Sequence, residues 1–551
     1  MDVRELEWQF DAVDLRPVMR WLADPARQAD AGAVRVDPGG SASQVDVYFD
    51  TSDRRFHRAG YALRVRRTGR SAAAGAEATL KEIESSTTGE RGLRSRREVS
   101  EQLPQADPEL LGQSYGPVGE RVRAVAGNKK VRPLFEVRTR RRVFSIGADG
   151  SPPGEIALDE TAIRTGAGGA MTRLHRVEIE SPEPALTSLR PFVEELQAAC
   201  RLQPSGLSKY EAGVLAAGLE TVPEAFGPTA IEARMPIGRV GLAVLRRHFV
   251  ALLAKEPGTR LGDDLEELHD MRVASRRLRA ALSLFADVLP PSAAKLGDDL
   301  RWIGHSLGAV RDLDVQLEQL DGWLAEVPEA DREALAALRS LLETERSAAR
   351  KAMLADLDSR RYELFVGRFG RMLRSSRGRR TGPAGLPARA VAPDLIEDRF
   401  RAFQKTAKQI GAGSPATDYH RVRIRGKRLR YALEFLSDLY PGETRPLVRR
   451  VIALQDLLGL HQDADVAIDR LRRLAVKPGA ELRPDTVFAM GEIAERYRLS
   501  TAELRDRFPK AYRRVIGKIW KAFAELLEGE RSALAPAGSG SAPTPVASEI
   551  E

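Results

Sequence analysis

Hydrophobic periodicity changes once along this chain, and that change sets what the chain can fold into. As far as about residue 212 the apolar residues come in short alternating runs such as "QVDVYFDT", "YALRVRR", "EATLKEI", "FEVRTRRRVFSI" and "LHRVEIES", separated by Gly, Ser, Pro or Asp. Period-two patterning of this kind predicts antiparallel strands. From about residue 232 onward it gives way to long segments rich in Leu, Ala, Arg and Glu with helical spacing, which predict an almost wholly α-helical second half. The expected fold class is α+β and multidomain, with a strand-rich domain at 1–212, a linker at 213–234 and a helical domain at 235–530. A basic, Gly- and Pro-rich stretch at 374–394 is expected to be a mobile loop parting that domain into about 235–373 and 395–530, and 531–551 a disordered tail.

The helical half repeats itself. "LHDMRVASRRLRAAL" around His269 and "YHRVRIRGKRLRYAL" around His420 align His269 with His420, Arg272 with Arg423, Arg276 with Lys427 and Arg279 with Arg430 at an offset of 151 residues, from 269 to 420. The same offset lays "LGAVRDLDV" at 307–315 on "LGLHQDADV" at 458–466, matching Gly308 with Gly459, Asp312 with Asp463 and Asp314 with Asp465. Two separated matches in one register point to a duplicated helical bundle.

At about 100° per residue, His269, Arg272, Arg276 and Arg279 fall within an arc of roughly 80° on a helix, with Met271, Leu278, Ala281, Leu282 and Phe285 opposite. His420, Arg423, Lys427 and Arg430 repeat that cationic stripe, and residues 419–433 hold six Lys or Arg and no acid. A basic helix face is ordinarily solvated and paired with Glu at i,i+4, and a histidine on an amphipathic helix is ordinarily a satisfied core residue. The missing acids and the duplication favour two stripes facing one another as a basic channel, whose guanidinium forks suit phosphate oxygens.

In the strand-rich half, residues two apart share a face, so Glu5 goes with Glu7, Arg64 with Arg66, Arg138 with Arg140 and Arg142, and Glu178 with Glu180. The opposite faces carry Leu63 and Val65, or Val177 and Ile179. Such strands make either an open sheet with its charged face in solvent or a barrel with the charges turned inward. In a barrel, Glu5, Glu7, Asp159, Glu178 and Glu180 would suit Mg²⁺ or Mn²⁺, and Arg64, Arg66, Lys81, Arg97, Arg140 and Lys209 would hold phosphate oxygens.

Composition narrows the partners. Lys and Arg number 87 against 78 Asp and Glu, a net charge of +9, which favours an anionic partner: nucleic acid, acidic lipid or a phosphate polymer. Aromatic residues make up 6% and are not interleaved with the basic clusters in the sequence, which argues against a stacking surface for single-stranded nucleic acid. One cysteine, Cys200, excludes an intrachain disulfide or a multi-cysteine metal site. No run approaches the ~18 apolar residues of a membrane span, and "MDVRELEWQF" is not a basic-then-apolar leader, so a cytoplasmic protein without a membrane partner is expected. The Gly-rich "GAGGA" at 166–170 lacks the Lys and Ser or Thr of a P-loop.

Taken in order, "ELEWQ", "YFDT" at 48–51, "LRVRR" at 63–67, "TLK" at 79–81, "RRE" at 96–98, "LDE" at 158–160, "VEIE" at 177–180 and "SKY" at 208–210 resemble a CYTH domain of the triphosphate tunnel metalloenzymes. The paired His/Arg helices resemble a CHAD domain. The resemblance implies an eight-stranded antiparallel tunnel hydrolysing triphosphate-containing substrates with divalent metal, with Glu5, Glu7, Asp159, Glu178 and Glu180 as its catalytic, metal-binding acids. It matches Arg64, Arg66, Lys81, Arg97, Arg140 and Lys209 to the phosphate-binding positions. For the CHAD half it implies inorganic polyphosphate held by His269, Arg272, Arg276, Arg279, His420, Arg423, Lys427 and Arg430, and association with polyphosphate granules. Gln9 stands where the tunnel family's signature E-x-E-x-K has lysine. The expected function is a polyphosphate-binding protein with a metal-dependent triphosphatase domain; the rival readings are the same architecture without turnover and a nucleic-acid-binding module.

Overall fold

The computed structural model describes residues 2–24, 34–69, 76–83, 86–87, 92–105, 108–148, 153–165, 171–219, 226–326, 329–375, 382–411, 413–476 and 482–534. It divides into two compact units, Met1–Pro223 with Leu253–Leu268, and Glu224–Leu252 with His269–Glu551. The "GAGGA" segment and 535–551 of the expected tail lie outside the described residues. Among the described residues no helix is long and apolar enough to cross a membrane.

The strand-rich unit runs β1 (Asp2–Asp11), α1 (Arg16–Leu22), β2 (Val34–Thr51), α2 (Arg55–Arg58), β3 (Tyr61–Thr68), β4 (Ala76–Glu82), β5 (Ser86–Thr87), β6 (Leu93–Leu103), α3 (Pro108–Gln113) and α4 (Pro117–Ala126). It continues through β7 (Val131–Ala148), β8 (Gly154–Arg164), β9 (Met171–Glu180), α5 (Leu186–Cys200), β10 (Gln203–Pro204) and α6 (Lys209–Ala216). The strands are ordered β10-β1-β9-β8-β7-β2-β3-β4-β6-β5, and a further β1–β6 pairing joins the two ends. Eight strands thus form a closed antiparallel barrel, with β5 and β10 as short additions. Closure leaves the eight without a free edge.

The apolar strand faces point outward, and helices cover them. Leu63, Val65, Leu80 and Val99 pack with Leu111, Val118, Val122 and Val125 of α3 and α4. Trp8, Phe10, Ile156, Val177 and Ile179 pack with Val18, Trp21 and Leu22 of α1 and Leu189, Phe192 and Leu196 of α5. The alternate residues are therefore enclosed, and part of the interior is apolar. Tyr48, Ala62, Phe135, Val137 and Ile163 meet Tyr210, Ala212 and Val214, which α6 contributes. The remainder of the interior is charged. Burying so many ionised groups is tolerable only if they neutralise one another.

The helical unit is a duplication that the element boundaries display directly. Helices α7 (Ile237–Leu261), α8 (Leu265–Leu284), α9 (Leu296–Glu326), α10 (Glu329–Asp358) and α11 (Arg360–Ser375) are followed by α12 (Ala388–Ala407), α13 (Ala416–Phe435), α14 (Thr444–Ala475), α15 (Pro484–Val515) and α16 (Lys518–Leu534). The 151-residue offset carries both ends of α8 onto those of α13 and the start of α7 onto that of α12. The repeats also meet symmetrically. Ile237 N–H donates to the Leu386 carbonyl and Ala388 N–H to that of Met235, both at 2.9 Å, around a Pro236–Pro387 bridge. Each of these residues has its counterpart 151 positions away, so the bridge lies on a pseudo-twofold axis.

This pairing corrects the loop expected at 374–394. The helix α11 reaches Ser375, 376–381 lie outside the described residues, and α12 is already under way at Ala388. The Gly/Pro composition that reads as a loop includes Pro387, which is held in the bridge. Beyond it, Ala388, Ala392, Ile396, Phe400 and Phe403 are buried at helical spacing. Residues 531–534 likewise belong to α16 rather than to a tail.

Stacked rings lock the first helix of each repeat to the last. Phe249 and Phe369 stack at 4.5 Å with 8° between planes, and Phe400 and Trp520, their counterparts at the same offset, stack at 3.5 Å and 8°. Truncating the fully buried Phe369 to alanine is expected to remove about 3–5 kcal/mol from the unfolding of the helical unit. Urea denaturation followed by helical circular dichroism measures it, and a loss below about 1 kcal/mol would show that this stack does not hold α7 to α11.

Candidate functional site

The charged part of the barrel interior is a cavity of about 220 Å³ into which six cationic side chains project: Arg64, Arg66, Lys81, Arg96, Arg141 and Lys209. Each is held by acids of the barrel strands. Arg66 grips Asp46 with two bonds of 2.7 and 3.0 Å, and Arg64 lies 3.9 Å from Asp46 and 3.7 Å from Glu98. Lys81 contacts Glu5 and sits 3.4 Å from Glu7 and 3.5 Å from Glu98, while Arg96 pairs with Glu7. Arg141 makes two bonds to Asp159 of 2.9 and 2.8 Å and one to Glu178 of 2.5 Å. Lys209 reaches the same two acids at 2.5 and 2.9 Å. It is set there by the capping box that starts α6: Ser208 Oγ accepts from Glu211 N–H, and the Glu211 carboxylate accepts from Ser208 N–H.

Glu180 differs from the rest. No ion pair reaches it among the described residues, and burial, followed by the charges of Glu5, Glu178 and Glu7, pushes its carboxyl up to about 8. Burial likewise raises Glu5. Burial acts in the same sense on Glu178, but Lys209 and Arg141 overcome it and hold that group well below the usual carboxylate range. Glu5, Glu7 and Glu180 each bring a carboxylate oxygen within 4.8 Å of the others. Such all-oxygen donors fit a hard divalent cation. Of the five acids expected as metal ligands, these three come together, Glu5 and Glu7 while paired with Lys81 and Arg96, and Asp159 and Glu178 lie apart from them with Arg141 and Lys209.

Of the expected tunnel cations, Arg64, Arg66, Lys81 and Lys209 line the cavity, and Arg97 and Arg140 do not. Arg97 faces out and makes two bonds to Asp2, at 2.9 and 2.7 Å. Arg140 is exposed. Their neighbours Arg96 and Arg141 take the interior positions because a strand turns alternate residues to opposite faces. Asp46 and Glu98 also belong to the interior and were not anticipated. The parity of β6 is readable from Val99, which packs outward and takes Arg97 with it. In β7, however, Val137 packs inward and Phe144 outward, so its apolar residues fix no single parity. Gln9 does line the cavity, pairs in register with Glu178 and is 3% exposed; its side-chain oxygen has no hydrogen-bond partner among the described residues.

In the helical unit, α8 and α13 turn their basic stripes toward each other. Arg276 Nε donates to Tyr431 Oη at 2.7 Å, and Arg277 pairs with Glu434 at 2.9 Å. A cavity of about 860 Å³ is lined by Arg276, Arg279, His420, Arg423 and Lys427, joined by Arg301, Arg399 and Arg428, which the sequence pattern did not single out. His269, Arg272 and Arg430 are half-buried and do not line it. Arg430 is turned to Glu434 at 3.2 Å.

The Arg272 guanidinium crosses Gly308, where a Cβ would stand 3.4 Å from its Nε, and pairs with Asp312 at 3.1 Å. Arg423 crosses Gly459 in the same way, with 3.7 Å to its Nη2, and is attracted by Asp463. The matched glycines thus let an arginine of one helix lie across the next in both repeats. This also corrects the expectation of bases alone, since Asp312, Asp463 and Glu434 accompany them. Lys427 has no ion pair among the described residues; burial, then Arg423, Arg276, Arg430 and Arg272, push its ammonium down to about 7.

Because Glu180 must lose a proton before it can serve as a ligand, and its carboxyl is pushed up to about 8, Mn²⁺ affinity at Glu5, Glu7 and Glu180 is expected to rise by up to about 50-fold from pH 6 to pH 8. Titration calorimetry in buffers of different ionisation enthalpy should show proton release at pH 6. Affinity independent of pH, with no proton released, would contradict the placement of Glu180 in the donor set.

Comparison with known proteins bears on both units. The CYTH domain family matches residues 24–213 and the CHAD domain family residues 243–472. The CHAD domain from the plant Ricinus communis is 31% identical with a TM-score of 0.44, over 53% of this chain and 96% of that one. PptA from Streptomyces chartreusis is 21% identical with a TM-score of 0.43, over 51% of this chain and 100% of that one. The adenylyl cyclase-type protein HpAC1 from Hippeastrum, described as having a dominant triphosphatase activity, is 18% identical with a TM-score of 0.28, over 40% of this chain and 98% of that one. No curated protein matches the chain. CYTH proteins include triphosphatases and cyclases, and the triphosphate tunnel enzymes among them are generally dependent on divalent metal. Because the two family matches part the chain where its architecture changes from barrel to duplicated bundle, this chain belongs to the CYTH–CHAD family.

Proposed function

We propose that the barrel is a divalent-metal-dependent hydrolase of inorganic triphosphate or short polyphosphate ends, and that the helical unit binds inorganic polyphosphate. The observation that carries the first reading is the enclosure of Arg64, Arg66, Lys81, Arg96, Arg141 and Lys209 in one cavity with Glu5 and Glu180, whose carboxylates group with that of Glu7. Mg²⁺ or Mn²⁺ held by those three acids would supply charge neutralisation and polarise a phosphoryl oxygen. The chain's own cations do the rest. Arg64 and Arg66 exchange Asp46 for phosphate oxygens, and Arg141 and Lys209 neutralise the opposite end. Phosphoanhydride hydrolysis by water relies on positioning and charge stabilisation and needs no covalent nucleophile.

Gln9 favours a second reading, binding without turnover, since an amide in place of an ammonium removes one charge from this wall. Phosphate release from inorganic triphosphate with Mg²⁺ or Mn²⁺ separates the two. The hydrolase reading expects turnover that Glu5→Ala with Glu7→Ala lowers at least 100-fold and that Gln9→Lys raises; wild-type rates equal to the double variant establish the second reading.

For the helical unit, the convergence of Arg276, Arg279, His420, Arg423 and Lys427 on one cavity supports polyphosphate as its occupant. We place the protein in the cytoplasm, at polyphosphate granules. A polyanion draws Lys427 to its charged form, which the empty pore loses as pH rises through about 7. Affinity for long-chain polyphosphate is therefore expected to weaken by up to about tenfold per pH unit above 7. Lys427→Arg, which stays charged, should flatten the dependence. A wild-type profile level from pH 6 to 8.5 at fixed salt would contradict it, and tighter binding of DNA at matched phosphate concentration would favour a nucleic-acid module instead.

A further inference from the structure

A second cavity in the helical unit has no part in the basic pore. It is a groove of about 850 Å³ between the end of α12, the start of α13, and the facing sides of α14 and α15, a size suited to a small organic ligand. Lys408, Arg472, Arg498, Arg505 and Arg513 line it; Arg498 pairs with Glu495, and none of the other four has a carboxylate partner among the described residues. Asp465 and Asp506 line it as well, leaving the groove positive. At the 151-residue offset those four cations fall on Pro257, Asp321, Leu354 and Tyr362. The groove therefore belongs to the second repeat alone.

Its central cation is held in place before any ligand arrives. Arg505 Nε donates to His461 Nε2 at 3.1 Å, and its guanidinium lies 5.3 Å from the centre of the Tyr419 ring, which itself stacks on His461 at 4.7 Å. The acceptor on His461 is a neutral imidazole, consistent with burial and the Arg505 charge lowering that group. The terminal nitrogens of Arg505 have no hydrogen-bond partner among the described residues. One turn on, Pro509 has no N–H to offer the Arg505 carbonyl, and the buried Tyr512 hydroxyl has no partner among the described residues. Ala407, Ile410, Ile468 and Ala502 give the groove an apolar side.

We propose that this groove binds a nucleoside phosphate, with the phosphates on Arg472 and Arg505 and the nucleoside against the apolar side and the Tyr512 hydroxyl. Inorganic phosphate or its polymers would satisfy the cations and leave apolar lining and hydroxyl unused. The inference concerns a site apart from both the tunnel and the pore.

Photolabelling of the full chain with 8-azido-ATP, followed by peptide mapping, tests it. The expected label falls within 498–513, is displaced by ATP at concentrations at least tenfold lower than by inorganic triphosphate, and drops at least tenfold in Arg472→Gln and in Arg505→Gln. It should persist in Glu5→Ala with Glu7→Ala, which disables the tunnel. Arg472 makes no side-chain bond among the described residues, so Arg472→Gln keeps the test valid should Arg505→Gln disturb the His461 stack. Label confined to other peptides, equal displacement by triphosphate, or label unchanged in Arg472→Gln would each overturn the proposal.

Discussion

The structure of the strand-rich unit depends on mutual neutralisation of charges inside a closed barrel. A sheet with one apolar and one charged face ordinarily turns the charges to water, and here helices α1, α3, α4 and α5 cover the apolar faces from outside. The charged faces are thereby enclosed, and an isolated buried ion would be untenable. Asp46 with Arg66, Asp159 with Arg141 and Lys209, and Glu7 with Arg96 solve that problem pair by pair. A cavity built in this way is already arranged to receive a ligand of high charge. An anion takes over the cations, a cation takes over the acids, and a metal–triphosphate does both at once.

The helical unit reaches a related end by repetition. Arg272 over Gly308 with Asp312, and Arg423 over Gly459 near Asp463, are one device used twice about a pseudo-twofold axis. Charge is less completely compensated there, and burial, then the neighbouring arginines Arg423, Arg276, Arg430 and Arg272, lowers the Lys427 ammonium. The two units therefore differ in kind: paired charges in the barrel, a surplus of bases in the bundle.

How much of this could be read from the chain depended on whether a local pattern had an anchor. The 151-residue offset carried information over long distances and placed helices α8 and α13 end for end. The alternation at Leu63–Arg66 and Val177–Glu180 marked two faces, but whether the charged one met solvent or a cavity depended on β1 pairing with β6, a contact between residues some 90 apart in sequence. Arg96 could have been told from Arg97 by the parity of Val99, but nothing told Arg141 from Arg140, because β7 carries apolar residues of both parities beside its basic run. Asp463 was visible as a repeat match, yet its approach to Arg423 and Lys427 follows only from the packing of α13 on α14. The groove of the second repeat was hidden for the same reason: Tyr419, His461 and Arg505 are distant in sequence and touch only in the folded bundle.

The central claim is that the barrel interior is one site for a metal and a phosphate chain together. Anomalous diffraction from crystals of the full chain grown with Mn²⁺ and a non-hydrolysable triphosphate analogue tests it most directly. The account predicts a manganese peak bounded by Glu5, Glu7 and Glu180, with phosphate density running from Arg64 and Arg66 toward Arg141 and Lys209. Manganese and phosphate found only outside the barrel, with the interior ion pairs intact, would contradict it.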